Sequence, residues 1–182
     1  MNVACIGGGP AGLFFAALLK RADPRHQVTV YERNQLDDTF GFGVVFSDAT
    51  EDALRDADPE VTAAMAAQSH RWDDIEIHYK GATLVSGGHG FSGLSRRALL
   101  QILAARCRAV GVRLCIGREV QDVEALRSEV DLVLAADGVN SQVRERYREA
   151  FEPTVDTRPN PFVWLGTTRP FPAFTFHFKP TE

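Results

Sequence analysis

The chain has 182 residues, 45% of them hydrophobic and 24% charged, and a net charge of −4. This is ordinary globular composition, enough for one domain and a modest second lobe. The slight acidity excludes the basic footprint of a nucleic-acid binder, and no apolar stretch reaches membrane-spanning length.

Met1 to Ile6 is a short apolar run, followed by Gly7-Gly8-Gly9-Pro10-Ala11-Gly12 and then by apolar Leu13 to Leu19. That order reads as strand, tight glycine turn and helix. The G-x-G-x-x-G frame falls on Gly7, Gly9 and Gly12. The helix is expected from Pro10 to Arg21, with Pro10 in the first turn, where a missing N–H costs little. A second strand, Val28 to Tyr31, leads into Glu32, twenty residues after Gly12. Strand before, helix after and an acid at this distance make up the dinucleotide fingerprint in its required context. Gly7 permits the sharp turn, Gly9 lets a diphosphate approach the backbone, and Gly12 lets helix and strand pack closely. The free N–H groups and positive end of the helix suit an anion, and Glu32 can accept from a ribose hydroxyl.

Asp37 to Val45 reads as a loop. Asp48 with Glu51 resembles a capping box opening a helix to about Asp56. Asp58-Pro59 starts another helix, to about Ser69. Ile75 to Tyr79 alternates and turns at Gly81 into Thr83-Leu84-Val85, a hairpin. Gly87-Gly88-His89-Gly90 reads as a flexible loop. Ser95 caps a long helix with Leu99, Leu103 and Cys107 on one face, ended by Gly111. Val112 to Ile116 is a strand. Asp131 to Ala136 reads as a buried parallel strand rejoining the first sheet, with Asp137-Gly138 at its carboxyl end and a short basic helix beginning at Ser141.

After Pro153 come Pro-rich turns and two aromatic strands, Phe162 to Leu165 and Phe174 to Phe178. Phe174, Phe176 and Phe178 share a strand face, read first as core packing and alternatively as a wall of a substrate cavity. The expected fold is α/β: a Rossmann-like sheet over residues 1–152 with a β-hairpin insertion at about 70–93, then the incomplete start of a substrate-binding β-sheet over 153–182. The five His show no metal-ligand spacing, and no metal is expected. The three Cys have no C-x-x-C pair and read as reduced core residues. With no basic segment of signal type at its start, the chain is expected to be cytoplasmic.

The string Ala135 to Arg144, containing D-G-x-N-S-x-V-R, resembles the signature of flavoprotein monooxygenases of the para-hydroxybenzoate hydroxylase group. The resemblance implies that Gly7, Gly9, Pro10, Ala11, Gly12, Glu32, Arg33, Asp137 and Gly138 hold FAD, with Arg96 on the flavin side and Arg144 a weaker candidate. GFGVVFSD (41–48), RWDDIEIHYKG (71–81), SGGHGFSGLSRRALL (86–100) and WLGT (164–167) are similar to the salicylyl-CoA 5-hydroxylase and 2-aminobenzoyl-CoA monooxygenase group. That similarity covers essentially the whole chain. It implies hydroxylation of an aromatic ring, with an aromatic acyl-CoA such as salicylyl-CoA as substrate, NAD(P)H as co-substrate, and O₂ activated as a flavin C4a-hydroperoxide. It assigns no catalytic side chain, and His89 carries at most a minor claim.

Members of that group are longer and have a later Gly-Asp motif, a dipeptide this sequence lacks. The resemblance therefore implies a C-terminally truncated chain. It is either an N-terminal part of the hydroxylase or a catalytically incomplete FAD-binding module that works with a complementary C-terminal chain.

Overall fold

The computed structural model describes residues 1–38, 41–163 and 165–180. In chain order the elements are β1 (Asn2–Ile6), α1 (Pro10–Ala22), β2 (Gln27–Glu32), β3 (Gly43–Ser47), α2 (Asp48–Ala57), α3 (Pro59–Ala66), β4 (His70–Trp72), β5 (Ile75–Tyr79), β6 (Ala82–Ser86), β7 (Phe91–Ser95), α4 (Arg96–Ala109), β8 (Arg113–Ile116), α5 (Val123–Glu129), β9 (Leu132–Ala135), α6 (Gln142–Arg146), α7 (Arg148–Phe151) and β10 (Phe174–Phe178). The chain divides into two units, Met1–Phe40 with Leu99–Val163, and Gly41–Ala98 with Trp164–Glu182.

The first unit is built on a sheet in the order β8-β2-β1-β9. All three pairings are parallel, with Cys5 opposite Val30 and Ile6 opposite both Tyr31 and Ala135. Side chains alternate across a strand, so β1 serves two cores. Ala4 and Ile6 pack with Val123, Leu126 and Val143, which brings α5 and α6 onto one face. Cys5 faces the other way, its thiol directed at the carbonyl of Gly12 in α1. On α1, Leu13, Ala16, Ala17 and Lys20 are buried, at the spacing of one helical stripe. Lys20 buries its stem and donates from Nζ to the carbonyls of Pro24 and His26, closing the turn into β2. The thiol of Cys107 on α4 donates to the Leu13 carbonyl at 3.1 Å. Gly111, at φ +88°, ends that run in the left-handed conformation expected of a helix terminator.

The second unit holds two three-stranded sheets, β3-β7-β4 and β10-β5-β6. The first is antiparallel, with Ser47 opposite Phe91 and His70 opposite Gly93. In the second, β10 runs parallel to β5, and β5 and β6 form the expected hairpin. Phe174 sits 5.1 Å from Phe91 and 5.9 Å from Trp72, ring centre to ring centre, so one aromatic cluster joins the two sheets. The indole N–H of Trp72 donates to the Phe171 carbonyl.

Several local expectations are corrected. Gly43 to Val45 is not loop but the start of β3, because β7 supplies its hydrogen bonds from about fifty residues away in sequence. β4, β7 and α5 carry no strong local pattern; α5 is marked only by Asp122, whose carboxylate accepts from the N–H groups of Glu124 and Ala125. The cap of α2 is Ser47 rather than Asp48, since the Ser47 hydroxyl accepts from the Thr50 N–H. The 87–90 segment is anchored: His89 N–H donates to the Asp73 carbonyl, and Asp48 N–H donates to the Gly90 carbonyl. β9 is parallel to β1 as expected but lies at the sheet edge, with Leu132 42% exposed rather than buried. Among the described residues Phe162, Val163 and Leu165 form no strand. Thr39, Phe40 and Trp164, which belong to the loop and strand expected there, and residues 181–182 lie outside the described residues. Phe174, Phe176 and Phe178 do share a face, with neighbouring rings in contact, yet Phe176 and Phe178 are exposed and are not core.

Candidate functional site

The carboxyl ends of β1, β2 and β9 meet in the first unit, and there the glycine turn is wedged between its neighbours. Gly7 has φ +109°, a region closed to most side chains. Its N–H donates to the Tyr31 carbonyl at 2.8 Å. A Cβ on Gly7 would collide with the carbonyl oxygen of Ala136, and one on Gly12 with the carbonyl oxygen of Gly7. These two glycines are required by the protein itself. Gly9 differs. Its φ of −71° suits any L-residue, and a Cβ there would meet no described atom within 4 Å. Among the described residues no neighbouring atom excludes a side chain at that position.

Gly9 is the N-cap of α1, and no side chain caps the helix or places an acid in its first turn. Pro10 has no N–H to offer, while those of Ala11 and Gly12 precede the first intrahelical donor, the Leu13 N–H that bonds to the Gly9 carbonyl. The turn thus pairs backbone donors and about half a positive charge with open space at Gly9. This is the donor set an anion requires.

Glu32 ends β2 beside this turn. Its Oε2 accepts from the Gly8 N–H at 2.7 Å, and its Oε1 accepts from the Asn34 N–H at 2.8 Å. A carboxylate offers about four acceptor positions, so two bonds leave room for hydroxyl donors. Gly8 was not singled out from the sequence, although it is the middle of three consecutive glycines. A Cβ on it would lie 2.7 Å from the Glu32 Cβ. The only sequence signal for that role is the surplus glycine inside the fingerprint.

Asp137 and Gly138 follow β9 at the same edge. The Ala136 N–H donates to the Ile6 carbonyl at 2.7 Å, fixing this turn against the glycine turn. The Asp137 carboxylate is committed locally: it accepts from the Ser141 hydroxyl at 2.6 Å and from the N–H groups of Gln142 and Val143. It caps α6. Gly138, at φ +86°, again has open space where a Cβ would lie. Arg144 donates from Nη2 to the Val139 carbonyl, while its buried Nε has no partner among the described residues.

The structure therefore brings Gly7, Gly9, Pro10, Ala11, Gly12, Glu32, Asp137 and Gly138 to one sheet edge. Arg33 follows Glu32, but its guanidinium is largely exposed and reaches Glu119 at 3.7 Å. Arg96 belongs to the second unit, where it opens α4 and its N–H donates to the Phe42 carbonyl. His89, also in the second unit, is exposed, with its ring 2.7 Å from the Ser86 hydroxyl.

Beneath the turn lie two thiols. Burial pushes Cys5 up to about 12, with the nearby Cys107 adding to the shift. Burial likewise pushes Cys107 up to about 11. Neither is a thiolate near neutrality, which removes both as nucleophiles.

The chain is similar to known proteins over most of its length. Residues 2–148 match the family model described as lycopene cyclase protein. The chain is 48% identical over 176 residues to salicyloyl-CoA 5-hydroxylase from Streptomyces sp, covering 97% of this chain and 34% of that protein. It is 33% identical over 169 residues to 3-hydroxy-4-methyl-anthranilyl-[aryl-carrier protein] 5-monooxygenase from Streptosporangium sibiricum, covering 93% of this chain and 47% of the relative. A crystal structure of 2-methyl-3-hydroxypyridine-5-carboxylic acid oxygenase superposes with a TM-score of 0.68 at 25% identity, over 79% of this chain and 41% of that one. The chain thus spans about a third to a half of the length of these proteins. No described helix is long and apolar enough to cross a membrane.

Proposed function

The chain belongs to the lycopene cyclase protein family over residues 2–148, and from that premise we propose that it is part of a flavoprotein aromatic monooxygenase whose first unit binds the ADP part of FAD. The observation that carries this reading is the contrast among the glycines. Gly7 and Gly12 are filled by neighbouring carbonyls, whereas Gly9 opens onto space lined by uncapped backbone donors. A ligand lying close to the backbone would use that open space.

In this proposal the N–H groups of Gly9, Ala11 and Gly12 hold the diphosphate. The carboxylate of Glu32 accepts from the adenosine ribose, and Arg33 flanks the adenine side. The Asp137–Gly138 turn adds a second, glycine-bearing wall, and Asp137 holds that wall in shape by capping α6. Bound there, flavin would supply the activation of O₂, with NAD(P)H as its reductant. The chain's own residues bind and orient; no nucleophilic constellation is asked of them.

Substrate chemistry is proposed for the protein in which this site is joined to a complete substrate sheet. The 48% identity to a salicyloyl-CoA hydroxylase supports an aromatic acyl thioester as the ring-bearing substrate. The first unit then supplies the nucleotide part, and β10 begins the substrate side, with the exposed Phe176 and Phe178 as its aromatic face. Arg96 is retained as a flavin-side residue.

The test is a visible spectrum and an FAD titration of the purified chain. Flavin bands with NAD(P)H oxidation support the full reading. Flavin bands without turnover support an FAD-binding module that needs a partner or further residues. A colourless chain that cannot be loaded with FAD refutes the site.

A further inference from the structure

Glu32 makes two bonds that a ribose acceptor does not need. Its Oε2 takes the Gly8 N–H at 2.7 Å, and its Oε1 takes the Asn34 N–H at 2.8 Å. The preceding N–H of the turn, Gly7, is also tied to the end of β2, at the Tyr31 carbonyl. Two successive amides of the glycine turn are therefore held by two successive residues of one strand end. The Glu32 carbonyl in turn accepts from the Arg118 N–H at 2.8 Å, anchoring the same residue to the chain after β8. The Gly9 carbonyl is committed to the Leu13 N–H at 3.0 Å. The Gly8 N–H thus fixes the peptide before the Gly8–Gly9 unit, and the Gly9 carbonyl fixes the one after it.

This arrangement is costly by charge alone. It puts a carboxylate beside a turn meant for an anion, and a like charge there weakens anion binding. The cost makes sense if the carboxylate organises the donors. We infer that Glu32 is a positioning residue for the diphosphate: it withdraws the Gly8 N–H from the ligand and aims the N–H groups of Gly9, Ala11 and Gly12. The inference rests on the nucleotide reading of this site and adds to it a coupling between the ribose and diphosphate subsites through one side chain.

The sign of one measurement separates the two roles. 2′,3′-Dideoxy-ADP keeps the diphosphate but has no ribose hydroxyl for Glu32 to accept from. If Glu32 serves only the ribose, Glu32→Gln removes a like charge and leaves binding of this probe unchanged or tighter. If Glu32 positions the turn, the probe binds about tenfold more weakly to Glu32→Gln, the scale of one lost charge-assisted hydrogen bond. Calorimetry with ADP, the dideoxy probe and FAD on the wild-type chain and the variant reads this directly. Unchanged or tighter probe binding, alongside weakened ADP, overturns the inference and leaves the nucleotide site standing. A wild-type chain that binds neither ADP nor FAD overturns the site and the inference together.

A measurement on the wild type keeps the test independent of any folding defect in the variant. On adding ADP, the amides of Gly9 and Gly12 should gain protection from hydrogen exchange, while that of Gly8 stays as it was. A Gly8 amide that gains protection with ADP is donating to the ligand, and the positioning role is then wrong. Glu32→Asp, one methylene shorter and unable to span both amides, should lose dideoxy-ADP affinity like Glu32→Gln although it keeps the charge.

Discussion

Replacing Gly9 with valine adds an isopropyl group at the one fingerprint glycine whose missing side chain faces no described atom. The backbone there, φ −71° and ψ 177°, is extended and suits a β-branched residue. Restricting the unfolded chain stabilises by about 0.4–1 kcal/mol, and losing glycine as N-cap costs a few tenths to about 1 kcal/mol. The two nearly cancel, so the melting temperature should move by no more than about 4 °C in a chain of this size. Affinity for FAD should behave differently. An isopropyl group in the diphosphate space displaces at least one charge-assisted hydrogen bond, about 1.5–3 kcal/mol, or roughly tenfold to over a hundredfold in Kd. Gly12→Ala is the contrast, because its Cβ enters the Gly7 carbonyl and forces α1 off β1. That variant should lose stability first and flavin as a consequence. Thermal melts paired with flavin-fluorescence titrations separate the two cases. If Gly9→Val binds FAD like wild type, or melts as early as Gly12→Ala, the geometry assigned to the turn is wrong.

Asp137→Ala removes the acceptor for the Ser141 hydroxyl and the Gln142 and Val143 N–H groups, and should cost about 1–2 kcal/mol in chemical denaturation. An unchanged midpoint would show that Ser141 alone caps α6. In the second unit, a Cβ on Gly90 would collide with the Asp48 carboxylate, which pairs with Arg71 at 2.9 Å. Gly90→Ala should therefore displace the Asp48 carboxylate and cost no more than about 1 kcal/mol, the scale of an exposed ion pair, and a larger loss in urea melts would mean that the 87–90 backbone moves with it. The buried thiols make the protein sensitive to alkali. Cys5 and Cys107 ionise near 9.0 when unfolded but at about 12 and about 11 when folded. Between those values the unfolded chain holds fewer protons, so stability falls as pH rises, by up to about 1.4 kcal/mol per pH unit per thiol. Below that window the thiols add no pH dependence. Urea melts at about pH 8 and about pH 10 should differ in this direction, and Cys5→Ala should shrink the difference; a flat profile refutes the burial of both thiols.

The geometry of the glycine turn was legible in the sequence because its determinants are local. A glycine turn closes over six residues, the helix it opens is contiguous with it, and parallel pairing brings Glu32 alongside at a fixed distance down the chain. The Asp137–Gly138 turn was legible for a related reason, since an apolar strand with a turn at its carboxyl end must come to that edge if it joins the sheet. Less visible was what each side chain does once there. Glu32 and Asp137 looked like ligands awaiting a partner, and the folded chain gives both of them backbone amides to hold. Gly8 acquires its role only because the Glu32 side chain lies against it.

What the amino-acid order determined by itself is the βαβ start, the helix caps at Ser95 and Ser141 and the hairpin at Gly81, since each is a short-range matter of backbone sterics and nearby donors. The tertiary structure alone decided the strand β3 in a glycine-rich stretch, the anchoring of the 87–90 segment, the edge position of β9 and the exposure of Phe176 and Phe178. The physical reason is that a backbone amide or an aromatic ring is satisfied by whatever lies beside it. In those cases the neighbour comes from a remote part of the chain, or is absent on the outward face, and no local pattern records that.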